Sequence, residues 1–181
     1  RPDTLTVLSE SLAELRGIPF SFEPARRIEC LLSIAQQFYH QGQSVFNGVE
    51  PAALAVMLAA ELDNASLHRK SLTFQGIILS QTNNPGDALL SLADALRLAE
   101  KLQDTMATAS VWNALGAAFY EAALYSDARE CYERAYSLSA SRADLQQLAS
   151  TALANAAICC LHMGAHRDGI QRISEAVALM P

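Results

Sequence analysis

Apolar residues recur along this chain at intervals of three and four. Leu5, Leu8, Leu12 and Leu15 show the spacing at the start, and it is the one that gathers a hydrophobic stripe on one face of a helix. The alternating and β-branched runs that mark strands are missing. The pattern predicts helices over about 4–16, 24–40, 51–63, 65–82, 87–103, 105–124, 127–140, 142–163 and 166–180. Punctuation agrees with it. Six prolines stand at 2, 19, 24, 51, 85 and 181, so long helices can run uninterrupted after Pro85. Gly17 and Gly42 follow helices, Pro24 and Pro51 stand near helix starts, and Asn83-Asn84-Pro85-Gly86 spells a turn. The chain reads as all-α, a series of helical hairpins.

One stretch repeats. From Ala109 the chain carries Trp112, Leu115, Gly116 and Phe119, then Ala128, Tyr132 and Ala135. From Arg69 it carries Leu72, Gly76, Leu79, Ala88, Leu92 and Ala95, with Gln75 where an apolar residue is usual. From Ser150 it carries Leu153, Ala156, Ala157, Cys160, Ile173, Ala176 and Pro181, with Gly169 in place of the signature alanine. These offsets resemble the tetratricopeptide repeat, W-x2-L-G-x2-[aromatic] followed by A-x3-[aromatic]-x2-A. Repeat starts at 69, 109 and 150 give periods of 40 and 41 rather than 34, so the resemblance is to the long-helix variety found in bacterial signalling proteins. The extra residues are expected to lengthen the second helix or the connection after it. Gly76 and Gly116, with Ala88 and Ala128, suit the close approach of two helices in a hairpin.

The resemblance implies an α-α superhelix, a right-handed solenoid of helical hairpins in which each hairpin buries its apolar face against its neighbours. Residues 1–24 read as a leading helix and linker, 25–64 as a degenerate first hairpin, and 65–181 as three repeats, about 69–108, 109–149 and 150–181. In the family the first helices line the concave surface. Mapped onto this sequence, those positions place Lys70, Thr73 and Gln81 on the first strong repeat. The next contributes Asn113, Tyr120 and Glu121, and the last Asn155 and His162. The two asparagines matter most, since an amide both donates to and accepts from an extended backbone. A dicarboxylate clamp of the chaperone-binding kind is not expected, because the lysines and arginine that it needs are missing from the corresponding positions.

Composition narrows the function further. Half the residues are hydrophobic (51%) but only 7% are aromatic, and the chain has 32 Ala and 26 Leu, so small aliphatics on helices must supply the core. The net charge of −6 argues against a nucleic-acid partner, whose phosphates call for clustered cations. The longest apolar run, 52–60, has nine residues, far short of the roughly 20 that span a bilayer. No signal peptide is visible, and a start at Arg1 rather than Met reads as a piece of something longer. Cys30, Cys131, Cys159 and Cys160 make neither a disulfide framework nor a zinc motif; reduced, buried thiols in a cytoplasmic protein are expected.

No catalytic constellation emerges, and no cofactor or metal is expected. His162 and His166 are four apart, but Gly164 between them signals a turn, which separates them from one helical face. Trp112 is expected to pack between hairpins, and Asp127, Glu130 and Glu133 to form a solvated face. The function expected is non-catalytic binding of a protein or peptide, in the regulatory or sensory region of a larger bacterial signalling protein such as a diguanylate cyclase. The alternatives are a constitutive scaffold and the repeat region of a LuxR-type transcription regulator. The last helix carries Ile170, Ile173, Val177 and Leu179, an apolar stripe that predicts a homodimer through this end.

Overall fold

The computed structural model describes residues 23–41, 45–82 and 84–179; the helix expected over 4–16 lies outside them. Eight α-helices account for most of these residues, and no strand occurs among them. They are α1 (Pro24–Gln41), α2 (Val49–Glu61), α3 (Ala65–Gln81), α4 (Pro85–Lys101), α5 (Thr105–Glu121), α6 (Tyr125–Ser139), α7 (Gln146–His162) and α8 (His166–Ala178).

Local chemistry sets the ends. Asn64 and Asp104 cap α3 and α5 by accepting from the N–H groups of Leu67 and Ala107, at 3.0 and 2.9 Å. Three connections close with the same pair of backbone bonds. Gln103 donates to Glu100 and Asp104 to Ala99; Ala123 donates to Tyr120 and Leu124 to Phe119; Gly164 donates to Leu161 and Ala165 to Cys160. The two bonds satisfy the last carbonyls of a helix, and they need one left-handed residue. Gln103, Ala123 and Gly164 supply it, with φ of 53°, 58° and 77°; of these, only glycine adopts that conformation without a steric penalty.

Most boundaries fall within two or three residues of the sequence reading, and two stretches ahead of helices take a 3₁₀ conformation that it did not give. The expected loop 41–50 holds a short 3₁₀ turn, Val45–Gly48, and α2 starts at Val49 rather than at residue 51. Pro51 is accommodated because its missing N–H falls in the first turn, where no intrahelical partner exists. Likewise 143–145 form a 3₁₀ turn ahead of α7. The extra length of the repeats also falls partly elsewhere than expected. Asp104 starts α5 at Thr105, so residues 105–108 are the first turn of the next first helix rather than a connection.

Each helix packs on the next, and α1 also touches α3, α3 touches α5, and α5 touches α7. The odd-numbered helices therefore form one layer and the even-numbered helices the other. The result is an α-α superhelix of stacked hairpins. Its largest core cluster joins Leu72, Leu92, Val111, Leu115 and Cys131 across four helices, and much of the remaining interior is alanine.

Close approach decides the crossings. A Cβ on Gly76 would lie 2.4 Å from Leu92 Cγ, and one on Gly116 would lie 2.6 Å from Tyr132 Cε1. In the last hairpin the roles are exchanged. The small residue is Gly169 on the second helix, where a Cβ would lie 2.8 Å from Leu161 Cδ2 of the first. Gly169 thus fits the fold where it departs from the signature.

Gly116→Leu should destabilise the chain by roughly 1–3 kcal/mol or more through overpacking, lowering Tm by about 2–12 °C at this length. Gly86, in the first turn of α4, has nothing within 4 Å of an added Cβ; Gly86→Ala should raise stability by a few tenths to about 1 kcal/mol. Thermal unfolding followed by circular dichroism checks both, and an unchanged Tm for Gly116→Leu would contradict the assigned crossing.

Candidate functional site

The eight residues picked from the sequence fall into three places. Asn113 and Tyr120 on α5 face Asn155 and His162 on α7. Asn155 Nδ2 donates to Asn113 Oδ1 at 3.4 Å, and Tyr120 Oη and His162 Nε2 share a hydrogen bond of 2.9 Å. Both pairs have the same separation of 42 residues along the chain, so they are successive rungs between two neighbouring first helices. Gln81 and Glu121 meet at a second place, where α3 and α5 end; with Ser80, Pro85, Ala122 and Ala123 they line an open cleft of about 390 Å³. Lys70 and Thr73 join neither group. Lys70 is exposed near the start of α3, and the Thr73 hydroxyl donates to the Arg69 carbonyl of its own helix at 2.8 Å.

The rung at Tyr120 includes a residue that sequence reasoning missed. Tyr125, the first residue of α6, stacks on the His162 ring, with centroids 4.6 Å apart and planes 11° from parallel. It meets Tyr120 edge-on at 5.5 Å. An aromatic just past the hairpin turn was the available signal, though it lies outside the repeat signature. The stacking and the hydrogen bond fix the His162 ring on this face. Among the described residues no cluster of His, Cys, Asp and Glu has the makings of a metal site.

Below the asparagine rung is a small cavity of about 120 Å³, lined by Tyr120, Tyr132, Asn155 and Ile158. Drug-sized ligands occupy about 300–1,000 Å³; this space is too small for one and suits a single side chain. Asn113 and Asn155 are half-buried. Their mutual bond uses one donor and one acceptor, which leaves the Asn113 amide N–H₂ and the Asn155 carbonyl oxygen without partners among the described residues.

Other groups noted in the sequence take structural parts. Trp112 is half-buried against the largest core cluster, and the Arg134 guanidinium lies 4.6 Å from its ring centroid, a cation–π contact. Glu130 pairs with Arg134 at 2.7 Å, and Glu133 with Arg172 of α8 at 2.6 Å. Cys131, Cys159 and Cys160 are buried, and all four cysteines are unpaired. Burial, followed by the Glu130 charge, pushes the Cys131 thiol up to about 11; burial, followed by Cys160, does the same for Cys159. Thiols so held are poor nucleophiles at neutral pH. No helix among the described residues is long and apolar enough to cross a membrane.

Comparison with known proteins places the fold. No family model matches the sequence, and no curated protein matches it. Solved structures do. BtubC (BKLC) from P. vanneervenii is similar over 97% of this chain and 78% of its own, with TM-score 0.75 and 16% identity. A Rap protein complexed with Competence and Sporulation Factor is similar over 97% of this chain, with TM-score 0.82 and 15% identity. This chain spans 48% of the Rap chain, about half its length. At such identities the likeness is one of fold, and the fold is that of a helical-repeat protein.

The thiols give a pH dependence with a definite sign. Their native pKa values lie above the ordinary 9.0, so between pH 9 and about 11 the folded chain holds more protons than the unfolded one. Stability is then highest below pH 9 and falls as pH rises through that window. Urea midpoints at pH 8, 9.5 and 11 should decline, and Cys131→Ala should make the decline shallower. An equal slope in that variant would place the Cys131 thiol in contact with water.

Proposed function

We propose that this chain is a non-catalytic module that binds an extended protein or peptide segment along α5 and α7. The asparagine rung carries the reading. A peptide unit presents one N–H and one C=O, and the rung offers the complement, the Asn113 amide N–H₂ and the Asn155 carbonyl oxygen. Their position between two first helices supports a segment lying along the inner layer, with the Tyr120–Tyr125–His162 cluster beside it. The fold shared with Rap, a protein solved in complex with Competence and Sporulation Factor, is consistent with ligand binding by such a superhelix.

Peptides selected from a displayed random library on the parent chain test this. Asn113→Ala and Asn155→Ala should each weaken the selected peptides by about 5- to 150-fold, the equivalent of roughly 1–3 kcal/mol for a half-buried polar partner left unpaired. The helical circular-dichroism signal should stay intact. Loss of folding in these variants would assign the asparagines to the core and remove the proposal.

The wider role we infer is regulatory or sensory, within a larger bacterial signalling protein of the kind that carries a diguanylate cyclase. What supports it is the repeat signature and its long period. The gene sequence following the Pro181 codon decides between this and a scaffold: a GG(D/E)EF-type segment supports signalling, and further repeats alone support a scaffold.

Self-association has an observation of its own. Ile170, Ile173 and Val177 on α8 are 63, 40 and 59% exposed. The corresponding positions on α4 are Leu89, Leu92 and Leu96, which pack into the cluster shared with the following helix, α5. A helix from a second copy would cover α8 in the same way, and a symmetric pair is the commonest closed arrangement. Sedimentation at micromolar concentration should show a dimer that Ile170→Glu dissociates; a strictly monomeric parent overturns it.

A further inference from the structure

Tyr132 carries a hydroxyl that the packing does not account for. The side chain is 4% exposed, and its ring lies along α5 where Gly116 lacks a Cβ. The residue lines the 120 Å³ cavity together with Tyr120, Asn155 and Ile158. The hydroxyl has no hydrogen-bond partner among the described residues, yet it is not sealed from solvent. A phenylalanine would fill the same space against Gly116 without desolvating a hydroxyl, so packing alone does not call for tyrosine here. A hydroxyl that no side chain satisfies, on a residue that lines a cavity, is free to pair with a group that enters it.

The cavity defines that partner's chemistry. Its volume is about that of four waters, enough for one side chain of moderate size. The Tyr120 and Tyr132 rings and Ile158 make apolar walls for an aliphatic stem. The lining residues also bring polar groups, the Tyr132 hydroxyl, which donates and accepts, and the Asn155 carbonyl oxygen, which accepts. Burial, together with Cys159, Tyr120, Cys131 and Glu121, raises the Tyr132 phenol above its ordinary range, so the hydroxyl keeps its proton at neutral pH. No cation lines the space, so a carboxylate would enter without compensation. A cation would exchange water for neutral acceptors alone. A neutral amide both donates and accepts, and it meets every polar group present.

We propose that this cavity is an anchor subsite for a glutamine side chain of the bound segment, with the Tyr132 hydroxyl and the Asn155 carbonyl oxygen holding the amide. The proposal rests on the reading that a segment binds along α5 and α7, and it assigns the residue that such a segment inserts. The Asn113 amide then donates to the backbone, the Asn155 carbonyl oxygen uses its two lone pairs to accept from the backbone and from the glutamine amide, and Tyr132 selects the side chain.

The probes are four peptides, Ac-Ala-Ala-Xaa-Ala-Ala-NH₂ with Xaa as Gln, Glu, Lys or Leu. They are titrated into isotope-labelled chain while the Asn113 and Asn155 side-chain amide resonances are followed. The Gln peptide should bind at least about tenfold tighter than the Glu peptide, the worth of one well-made buried hydrogen bond. Tyr132→Phe should erase that preference while unfolding at the same temperature as the parent or higher. Equal binding of all four peptides would overturn the subsite and leave the groove standing. No shift with any peptide would overturn both. A Gln preference that survives in Tyr132→Phe would show that the hydroxyl does not hold the ligand, and a lower Tm in that variant would show that packing itself calls for the hydroxyl and remove the premise.

Discussion

The closeness of the two helices in each hairpin is the constraint on which the remaining structure depends. At three successive crossings one helix gives up its side chain so that a large residue of the other can lie on its backbone: Gly76 under Leu92, Gly116 under Tyr132, Gly169 under Leu161. Such a contact removes a large apolar side chain from water and excludes voids along the crossing. It also fixes the register of the hairpin, because one turn of sliding would bring a Cβ against the large side chain. The interchange of roles in the last hairpin shows that the fold requires a pair of complementary volumes rather than glycine on a particular helix.

That register carries over to the inner layer. Three-residue connections with the same backbone closure follow α4, α5 and α7, and the first helices of neighbouring hairpins meet side by side. Residues 42 apart on α5 and α7 become neighbours, and two pairs of polar side chains bridge the helices at one spacing. The same Gly116 that sets the crossing also lets the Tyr132 ring reach the cavity beneath the rung. Packing and the candidate site are thus joined at a single residue: a side chain at position 116 would displace both.

The alanine-rich composition follows from the same geometry. Where backbones approach closely, the interior has room for methyl groups and for a limited number of large side chains, and alanine also favours the helix itself. Polar residues on the inner layer are partly desolvated without being buried outright. Asn113, Tyr120, Asn155 and His162 each find a partner on the neighbouring helix, and the two amides keep further hydrogen-bonding capacity.

Periodicity alone determined the all-α class and placed nearly every described helix to within a few residues, since a three-and-four spacing has one regular solution in backbone geometry. The repeated small and large positions also made the hairpin crossings at Gly76 and Gly116 legible, because the absence of a Cβ at regular offsets has a direct steric meaning. The start of α5 at Thr105 was read correctly from the sequence, and the Asp104 cap is the local signal that sets it. The sequence could list Asn113, Tyr120, Asn155 and His162 as inner-layer residues, yet it could not say that they pair or that Lys70 and Thr73 stand apart. Those outcomes depend on the distance and rotation between α5 and α7, set by packing among residues remote in sequence. Tyr125 and the unpaired hydroxyl of Tyr132 were hidden for the same reason: in the sequence one is a turn residue and the other a core aromatic, and only the packing of three helices sets Tyr125 against His162 and Tyr132 beside a cavity with Tyr120, Asn155 and Ile158.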